Sequence, residues 1–283
     1  MAAEVVAEVG WVVKRHGTRQ ISPIYWFAVA TLWPTLMTVT KRDWRGTEIL
    51  RRNYPPEDGV VVAANHLSWF DPMALVHVLW DNGRVPRVMA KHNLFTTPGV
   101  GLVLRGAGQI PVLRSTDDAA KAVEAAVEAI HDGETVVMYP EGTITRDPEL
   151  WPMTGKTGAA RVALMSGAPV IPIAQWGPQE VMGPYAREFK LLPRKTMHIN
   201  IGEPVDLDDL RGREITAEVL ADATSRIIAA ITLLLAELRG ETPPPSPLDF
   251  KAVSSQDAEK YSKKATGQKA RAAKRSRSSG SGR

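Results

Sequence analysis

The sequence predicts a three-layer α/β fold, with a central, mostly parallel or mixed sheet flanked by helices and an N-terminal membrane-interfacial helical segment. Apolar runs of strand length alternate with helix-patterned segments from residue 58 onward. Polar motifs follow several of these runs, as ligand sites do in open α/β sheets. We therefore expect an N-terminal membrane-associating segment (1–45), an α/β domain (46–240), and a proline-containing linker with a basic tail (241–283).

Five apolar runs have the length and composition of buried strands. In chain order they are 59–64 (GVVVAA), 109–114 (QIPVLR), 135–139 (TVVMY), 169–174 (PVIPIA) and 197–202 (MHINIG). The spacing of apolar residues predicts helices over 72–80, 116–131, 157–166 and 216–239. The most regular of these is 116–131, where one apolar stripe runs the whole length and ends near Gly133.

The stretch 24–39 (IYWFAVATLWPTLMTV) contains no charge and includes Pro34. It is shorter than the roughly 20 residues that a single membrane span needs. Lys and Arg flank it on both sides, whereas a spanning helix usually shows a bias towards one side. These features favour a helix or helical hairpin that lies in the membrane interface. A buried core helix and a true span are the alternatives.

The basic charge of the chain is concentrated in its tail. Residues 251–283 contain ten Lys and Arg against two acidic residues, which leaves 25 basic and 29 acidic groups in residues 1–250. This tail has too little apolar surface to offset its ordering entropy, so we expect it to be disordered. A solubilising role and contact with an anionic lipid surface are both open. We expect no nucleic-acid partner, because no recognition fold lies beside the tail.

The chain contains no cysteine, which excludes disulfides, thiolate metal sites and a thiol nucleophile. Its six histidines leave room for acid–base chemistry. We expect no metal and no other cofactor.

The first polar motif, NHLSWFD at 65–71, carries the best candidate for a general base. His66 can take a proton near neutral pH, and a carboxylate such as Asp71 would fix its tautomer and orientation. The alternative is structural, because an Asp followed by Pro72 also forms a good helix N-cap. Ser68 is a competing cap, which would free Asp71 for the histidine.

Three further motifs follow predicted strands or precede a helix. In GQIPVLR (108–114), Arg114 has the chemistry to hold a phosphate, although an arginine there is by default a solvated charge. In YPEGT (139–143), Glu141 and the backbone amide of Gly142 are able to orient a polar substrate, or form an ordinary turn. In GKTG (155–158), Lys156 precedes a helix start and is a plausible anion ligand.

Together these motifs resemble the glycerophospholipid acyltransferases, and most closely the 1-acylglycerol-3-phosphate acyltransferases. NHLSWFD, GQIPVLR, YPEGT, GKTGAARVA and APVIPI occur in that order, and the resemblance covers residues 40–205. The family pattern is Asn-His-x-x-x-x-Asp, Gly-x-Ile-x-x-x-Arg, Phe-Pro-Glu-Gly-Thr-Arg-Ser and an apolar Val-Pro-Ile strand. The first and third motifs together are specific.

The resemblance implies acyl transfer from acyl-CoA or acyl carrier protein to the free hydroxyl of lysophosphatidic acid. It implies that His66 is the general base and that Asp71 orients it. No enzyme nucleophile is needed, which agrees with the absence of cysteine. The resemblance also implies a peripheral enzyme on the cytoplasmic face of the cell membrane. The candidate substrate-binding residues are Asn65, Ser68, Arg114, Glu141, Gly142, Thr143, Arg146 and Lys156.

One departure concerns the arginine that follows EGT in the family. Its place is taken by Ile144, and Arg146 lies two positions later as a possible replacement. The acceptor headgroup is therefore less firmly implied than the reaction. Another lysophospholipid or glycolipid acceptor, a thioester hydrolase that uses the same histidine on water, and a non-catalytic membrane-binding protein remain as alternatives.

Overall fold

A computed structural model describes residues 22–52, 58–112, 116–186 and 188–249. The basic residues before position 22, the candidate phosphate ligand Arg114 and the tail from residue 250 lie outside the described residues.

The described elements form a layered α/β arrangement. The strands are β1 (Thr40–Arg45), β2 (Val60–Ala64), β3 (Pro86–Lys91), β4 (Ile110–Val112), β5 (Thr135–Met138), β6 (Val170–Trp176) and β7 (Lys195–Ile201). The helices are α1 (Pro23–Val39), α2 (Ile49–Arg52), α3 (Asp71–Asp81), α4 (His92–Phe95), α5 (Val100–Gly106), α6 (Thr116–His131), α7 (Gly158–Ser166), α8 (Pro178–Val181) and α9 (Ala217–Arg239), with a 3₁₀ turn at Asp208–Leu210.

The strands form one mixed sheet in the order β1-β7-β6-β2-β5-β3-β4. β6, β2, β5, β3 and β4 are parallel to one another, whereas β7 pairs antiparallel with β6 and β1 pairs parallel with β7. The predicted fold class is confirmed. Because β6, β2 and β5 are parallel neighbours, the polar residues that follow them meet at one edge of the sheet.

Both faces of the sheet are covered by helices, as the continuous apolar composition of the central strands requires. In β2 every residue is buried, and successive side chains alternate between the two faces. Val60 and Val62 pack with α2 and α3, while Val61 and Ala63 pack with α6, α7 and α9.

Two strands carry no apolar run that would have predicted them. β1 (TKRDWR) carries four charged residues, and β3 (PRVMAK) begins with proline and carries two. Among the described residues, β1 is the last strand at one edge of the sheet, and charged residues are tolerated at an edge. Residues 40–45, which the sequence grouped with the N-terminal segment, therefore belong to the central sheet.

The apolar stretch 24–39 forms a single helix, α1, and not a helical hairpin. The Ser22 hydroxyl caps α1 by accepting from Tyr25 N at 3.1 Å, and Pro23 occupies its first turn. Tyr25 and Leu36 are buried against the body, while Phe27 is 66% exposed. Within the described residues, one helix is long and apolar enough to cross a membrane, and it is α9, which packs against β6 and β7 as a core helix; α1 is shorter.

Candidate active site

The candidate site lies where the chain leaves β2, the central strand of the sheet. The segment after β2 carries Asn65 and His66, β5 is followed by Tyr139, and β6 ends with Gln175 and Trp176. Parallel neighbouring strands bring these residues together although they are far apart in the sequence.

His66 and Asp71 form a hydrogen-bonded pair. The Nδ1 atom of His66 lies 2.8 Å from Oδ2 of Asp71, and their side chains are 12% and 0% exposed. The same Oδ2 accepts the backbone N–H groups of Leu67, at 2.5 Å, and of Ser68, at 2.8 Å. The turn thus fixes the carboxylate, the carboxylate fixes the imidazole, and Nε2 is left as the ring nitrogen that can act on a substrate.

Burial raises the pKa of Asp71. The hydrogen bond and charge of His66, together with the N–H groups of Ser68 and Leu67, act in the opposite direction. All of these donors reach Oδ2, so they offset only part of the cost of burying the carboxylate.

The alternative in which Ser68 is the N-cap of α3 is wrong. Phe70 occupies the N-cap position of α3 and no side chain caps it there. The hydroxyl of Ser68 instead accepts from Phe70 N at 3.0 Å and donates to the carbonyl of Met182 at 2.6 Å. Ser68 is fully buried, so it stabilises the turn and does not face the cavity.

Asn65 is also buried and holds the strand ends together. Its amide nitrogen donates to the Gln175 carbonyl at 3.0 Å, and its side-chain oxygen accepts Gln175 N at 2.8 Å. The Gln175 side chain in turn donates to the Asn65 carbonyl at 2.9 Å. This three-bond pairing fixes the backbone directly before His66. Asn65 therefore contacts protein groups and does not line the cavity.

Glu141 is fully buried, and its carboxyl group holds the backbone of His66 by accepting a hydrogen bond from it. Its two oxygens accept the N–H groups of His66 and of Met153, each at 3.0 Å. The carbonyl of His66 accepts the N–H of Thr145 at 2.8 Å. Burial raises the pKa of Glu141 to about 8. The sequence had suggested that Glu141 orients a polar substrate, but the structure places this carboxyl between two loops.

Gly142 and Lys156 lie against each other in the cavity wall. Gly142 has φ +67°, and a Cβ atom built on it would lie 3.0 Å from Cδ and Cε of Lys156. Lys156 N also donates to the carbonyl of Pro140 at 2.8 Å. Glycine is required here because it adopts positive φ readily and leaves room for the lysine side chain.

A cavity of about 1390 Å³ opens beside His66. Its walls are largely apolar and come from α1, α3, α5 and α6, with Leu32 and Val103 among the lining residues. The candidate residues in the lining are His66, Gly142, Thr143, Arg146 and Lys156. The structure therefore brings these five together at one cavity, while Asn65, Ser68 and Glu141 support it from within the protein.

Two aromatic residues beside His66 were not identified from the sequence. Tyr139 stacks on the imidazole, and Trp69 meets it edge-on with 6.2 Å between ring centroids. Trp69 is 43% exposed, unusual for so large an apolar side chain. Both belong to motifs that the sequence had already singled out, and the aromatic residue within each motif was the available signal.

The comparisons with known proteins cover this same constellation. Residues 44–176 match the family model described as Acyltransferase, a range that begins in β1 and ends at the last residue of β6. This part of the chain is similar to that family. The resemblance to the glycerophospholipid acyltransferases is thereby confirmed.

Two curated relatives are 28% and 29% identical to this chain over the aligned residues. The 1-acyl-sn-glycerol-3-phosphate acyltransferase of Bacillus subtilis is 29% identical over 62% of this chain and 83% of that protein. The chloroplastic BAT2 enzyme of the same name from Brassica napus is 28% identical over 54% of this chain. That match spans 43% of the Brassica protein, less than half its length.

A solved structure has a fold similar to that of this chain. The crystal structure of the 1-acyl-sn-glycerophosphate (LPA) acyltransferase from Thermotoga maritima matches with a TM-score of 0.55 and 21% identity. The match covers 78% of this chain and 80% of the Thermotoga maritima chain.

Proposed function

We propose that the protein transfers a fatty acyl group from an acyl thioester to the free hydroxyl of 1-acylglycerol-3-phosphate, forming phosphatidic acid. The observation that carries the proposal is the His66–Asp71 pair beside an apolar cavity whose lining also holds Lys156 and Arg146. An apolar cavity suits an acyl chain, and the two cations suit a phosphate.

In the proposed mechanism, His66 Nε2 removes the proton from the acceptor hydroxyl while Asp71 holds Nδ1–H and stabilises the imidazolium that forms. The alkoxide oxygen attacks the thioester carbonyl carbon and gives a tetrahedral intermediate. The intermediate collapses by breaking the carbon–sulfur bond. The departing thiolate of CoA or of acyl carrier protein takes the proton from His66, which restores the neutral base.

The acceptor phosphate is assigned to the cationic residues. Lys156, held over Gly142, and Arg146 both line the cavity and supply positive charge near His66. Arg114 is retained as a third candidate on the family motif alone. Thr143, in the same lining, is proposed to bind the glycerol portion.

The substrate location suggests a place for the protein at the membrane. We assign α1 to the cytoplasmic interface of the cell membrane, where Phe27, 66% exposed, and Leu32, 39% exposed, would contact lipid. Leu32 also lines the cavity, so an acceptor in the bilayer has an apolar route towards His66. Residues 1–39 are proposed as the membrane-contacting segment, 40–240 as the catalytic domain and 241–283 as the linker with basic tail, with the first boundary moved because β1 lies in the sheet.

The test is an acyl-transfer assay on a panel of acceptors with acyl-CoA and acyl carrier protein as donors. We expect lysophosphatidic acid to be the preferred acceptor and His66→Ala to lose at least about 10²-fold in turnover. His131→Ala, an exposed histidine at the end of α6, is the matched control. Preference for a phosphate-free acceptor would overturn the phosphatidate assignment. Release of free fatty acid at the same rate with and without acceptor would instead indicate a thioester hydrolase.

A further inference from the structure

A loop on the surface exposes several apolar side chains in sequence. We call residues 188–194 (EFKLLPR) the 188–194 loop. All seven residues are exposed, and the loop leads from the segment after α8 into β7. Phe189 is 60% exposed, Leu191 37% and Leu192 81%. Leu192 has the most exposed large apolar side chain in the described part of the chain. Scattered apolar residues are normal on a surface, but three within four positions require an explanation.

Both ends of this loop are fixed to the body. Near its start, Lys190 N donates to the carbonyl of the buried residue Val181 at 2.7 Å. At its end, Nη2 of Arg194 donates to the carbonyls of Met37 at 2.9 Å and Thr40 at 2.5 Å. These are carbonyls at the C-terminal end of α1, where a helix leaves acceptors unsatisfied and favours a cation. The apolar residues are therefore held outward between two attachment points.

Cations surround the apolar residues. Lys190 and Arg194 lie within the loop, Lys195 follows it, and Glu188 is its acidic residue. Lys41 is exposed on β1 and comes directly after Thr40, which pairs with Lys195. Exposed aromatic and aliphatic side chains bordered by lysine and arginine are typical of segments that enter the headgroup region of an anionic bilayer.

We propose that the 188–194 loop is a second membrane-contacting element, which inserts Phe189 and Leu192 into the lipid headgroup region beside the C-terminal end of α1. The proposal rests on the proposed function, because it takes α1 as the first contact. Arg194 makes the two contacts continuous, since it joins the loop to the last turn of that helix.

A second contact restricts how the body is oriented on the bilayer. A single helix lying in the interface leaves the domain free to tilt about the helix axis, whereas two separate contacts remove that freedom. The loop also connects directly to the site, because Val181 accepts from Lys190 and the next residue, Met182, accepts from the hydroxyl of Ser68. Lipid contact at this loop thereby fixes the turn that carries His66 relative to the membrane surface.

The absence of cysteine allows a direct test with the full chain. Leu192→Cys, labelled with nitrobenzoxadiazole, should show blue-shifted and stronger emission when phosphatidylcholine vesicles are added. Vesicles without anionic lipid minimise attraction of the basic tail. Leu233→Cys is the matched control, because Leu233 is 61% exposed on α9, in the opposite helical layer. An unshifted emission from position 192 on vesicle-bound protein would overturn the proposal, as would a shift that appears only with an acyl carrier protein.

A second measurement separates lipid contact from folding and from catalysis. The double variant Phe189→Ser/Leu192→Ser should bind phosphatidylcholine vesicles about tenfold or more weakly in sedimentation, since each apolar group withdrawn from lipid weakens binding. Leu233→Ser should bind normally. The turnover of the double variant in detergent should match that of the unmodified protein. If turnover falls together with vesicle binding, the loop stabilises the fold, and the lipid role is overturned. The binding assay contains no substrate, so its result stands whatever the acyl-transfer assay gives.

Discussion

The ring of Tyr139 stacks on the imidazole of His66, with 4.3 Å between the ring centroids and 23° between the ring planes. Tyr139 follows β5 and His66 follows β2, so the contact joins two neighbouring strand ends. Burial and the charge of Asp71 raise the pKa of the Tyr139 hydroxyl well above its ordinary value, while the Gln175 side chain acts against this rise. The family motif has phenylalanine at this position, which would preserve the stacked ring without the hydroxyl.

Replacing Tyr139 separates the ring from the hydroxyl. We expect Tyr139→Phe to keep near-normal turnover, because the stacked ring is retained. Tyr139→Leu should lose up to about tenfold in kcat, since an aromatic contact of this kind is worth about 0.5–1.5 kcal/mol. The measurement is steady-state kinetics across a pH series. Equal losses in the two variants would show that the hydroxyl, and not the ring, matters to His66.

Asp71 and Asp81 lie at opposite ends of α3 and provide a matched pair. Asp71→Asn should lower kcat by about 10²-fold or more, because a neutral amide does not stabilise the imidazolium formed on His66. Asp81→Asn alters a carboxylate that accepts from Trp33 Nε1 at 2.6 Å and from Arg42 at 2.9 Å. This second variant should loosen α1, seen as faster amide exchange, with kcat in detergent nearly unchanged. Comparable kcat losses in both would contradict the role given to Asp71.

The buried carboxyl of Glu141 should make stability depend on pH. Its folded-state pKa of about 8 lies above the ordinary value of 4.5, so between these values the folded protein holds a proton that the unfolded chain releases. The free energy of unfolding should therefore fall as pH rises through this interval, by at most about 1.4 kcal/mol per pH unit from this group.

Glu141→Gln removes that titration. Its unfolding free energy should depend less steeply on pH between about 4.5 and 8, as measured by denaturant unfolding at several pH values. A constant loss of about 1–3 kcal/mol should accompany it, because one amide oxygen cannot replace both carboxylate acceptors of His66 N and Met153 N. Identical pH slopes in the two proteins would contradict the assignment of this titration to Glu141.

Gly142→Ala should affect acceptor binding through Lys156. The added methyl group meets the lysine side chain at 3.0 Å, so we expect the KM for lysophosphatidic acid to rise about tenfold, roughly 1.4 kcal/mol. Gly212→Ala is the control, because Gly212 has φ +71° and no atom of the described residues lies within 4 Å of the new Cβ. Both variants carry similar backbone strain of about 1–2 kcal/mol. An equal KM change in the control would assign the effect to strain and not to Lys156.

Local sequence pattern accounts for much of the fold. Helix α6 begins and ends at the predicted residues, 116 and 131, because an uninterrupted apolar stripe and Gly133 define it. β2 follows from its apolar run in the same way. β1 and β3 carry no such pattern, since their place in the sheet depends on strands that are distant in the sequence.

Within the site, the sequence determined the short-range relationship. His66 and Asp71 are five residues apart, and the backbone amides of the intervening turn hold both in register, so spacing and residue type were sufficient to nominate them. The resemblance carried by the later motifs selected this pair over the alternative of a helix cap.

Only the tertiary structure decided which other motif residues face the cavity. Glu141 and Gly142 are adjacent in one motif, yet Glu141 accepts two backbone N–H groups inside the protein while Gly142 lies in the cavity wall against Lys156. Burial and hydrogen-bond partners of this kind come from loops that meet across the sheet. Residue type and spacing determine what chemistry a side chain can perform, and long-range packing determines whether it contacts the substrate or supports the residue that does.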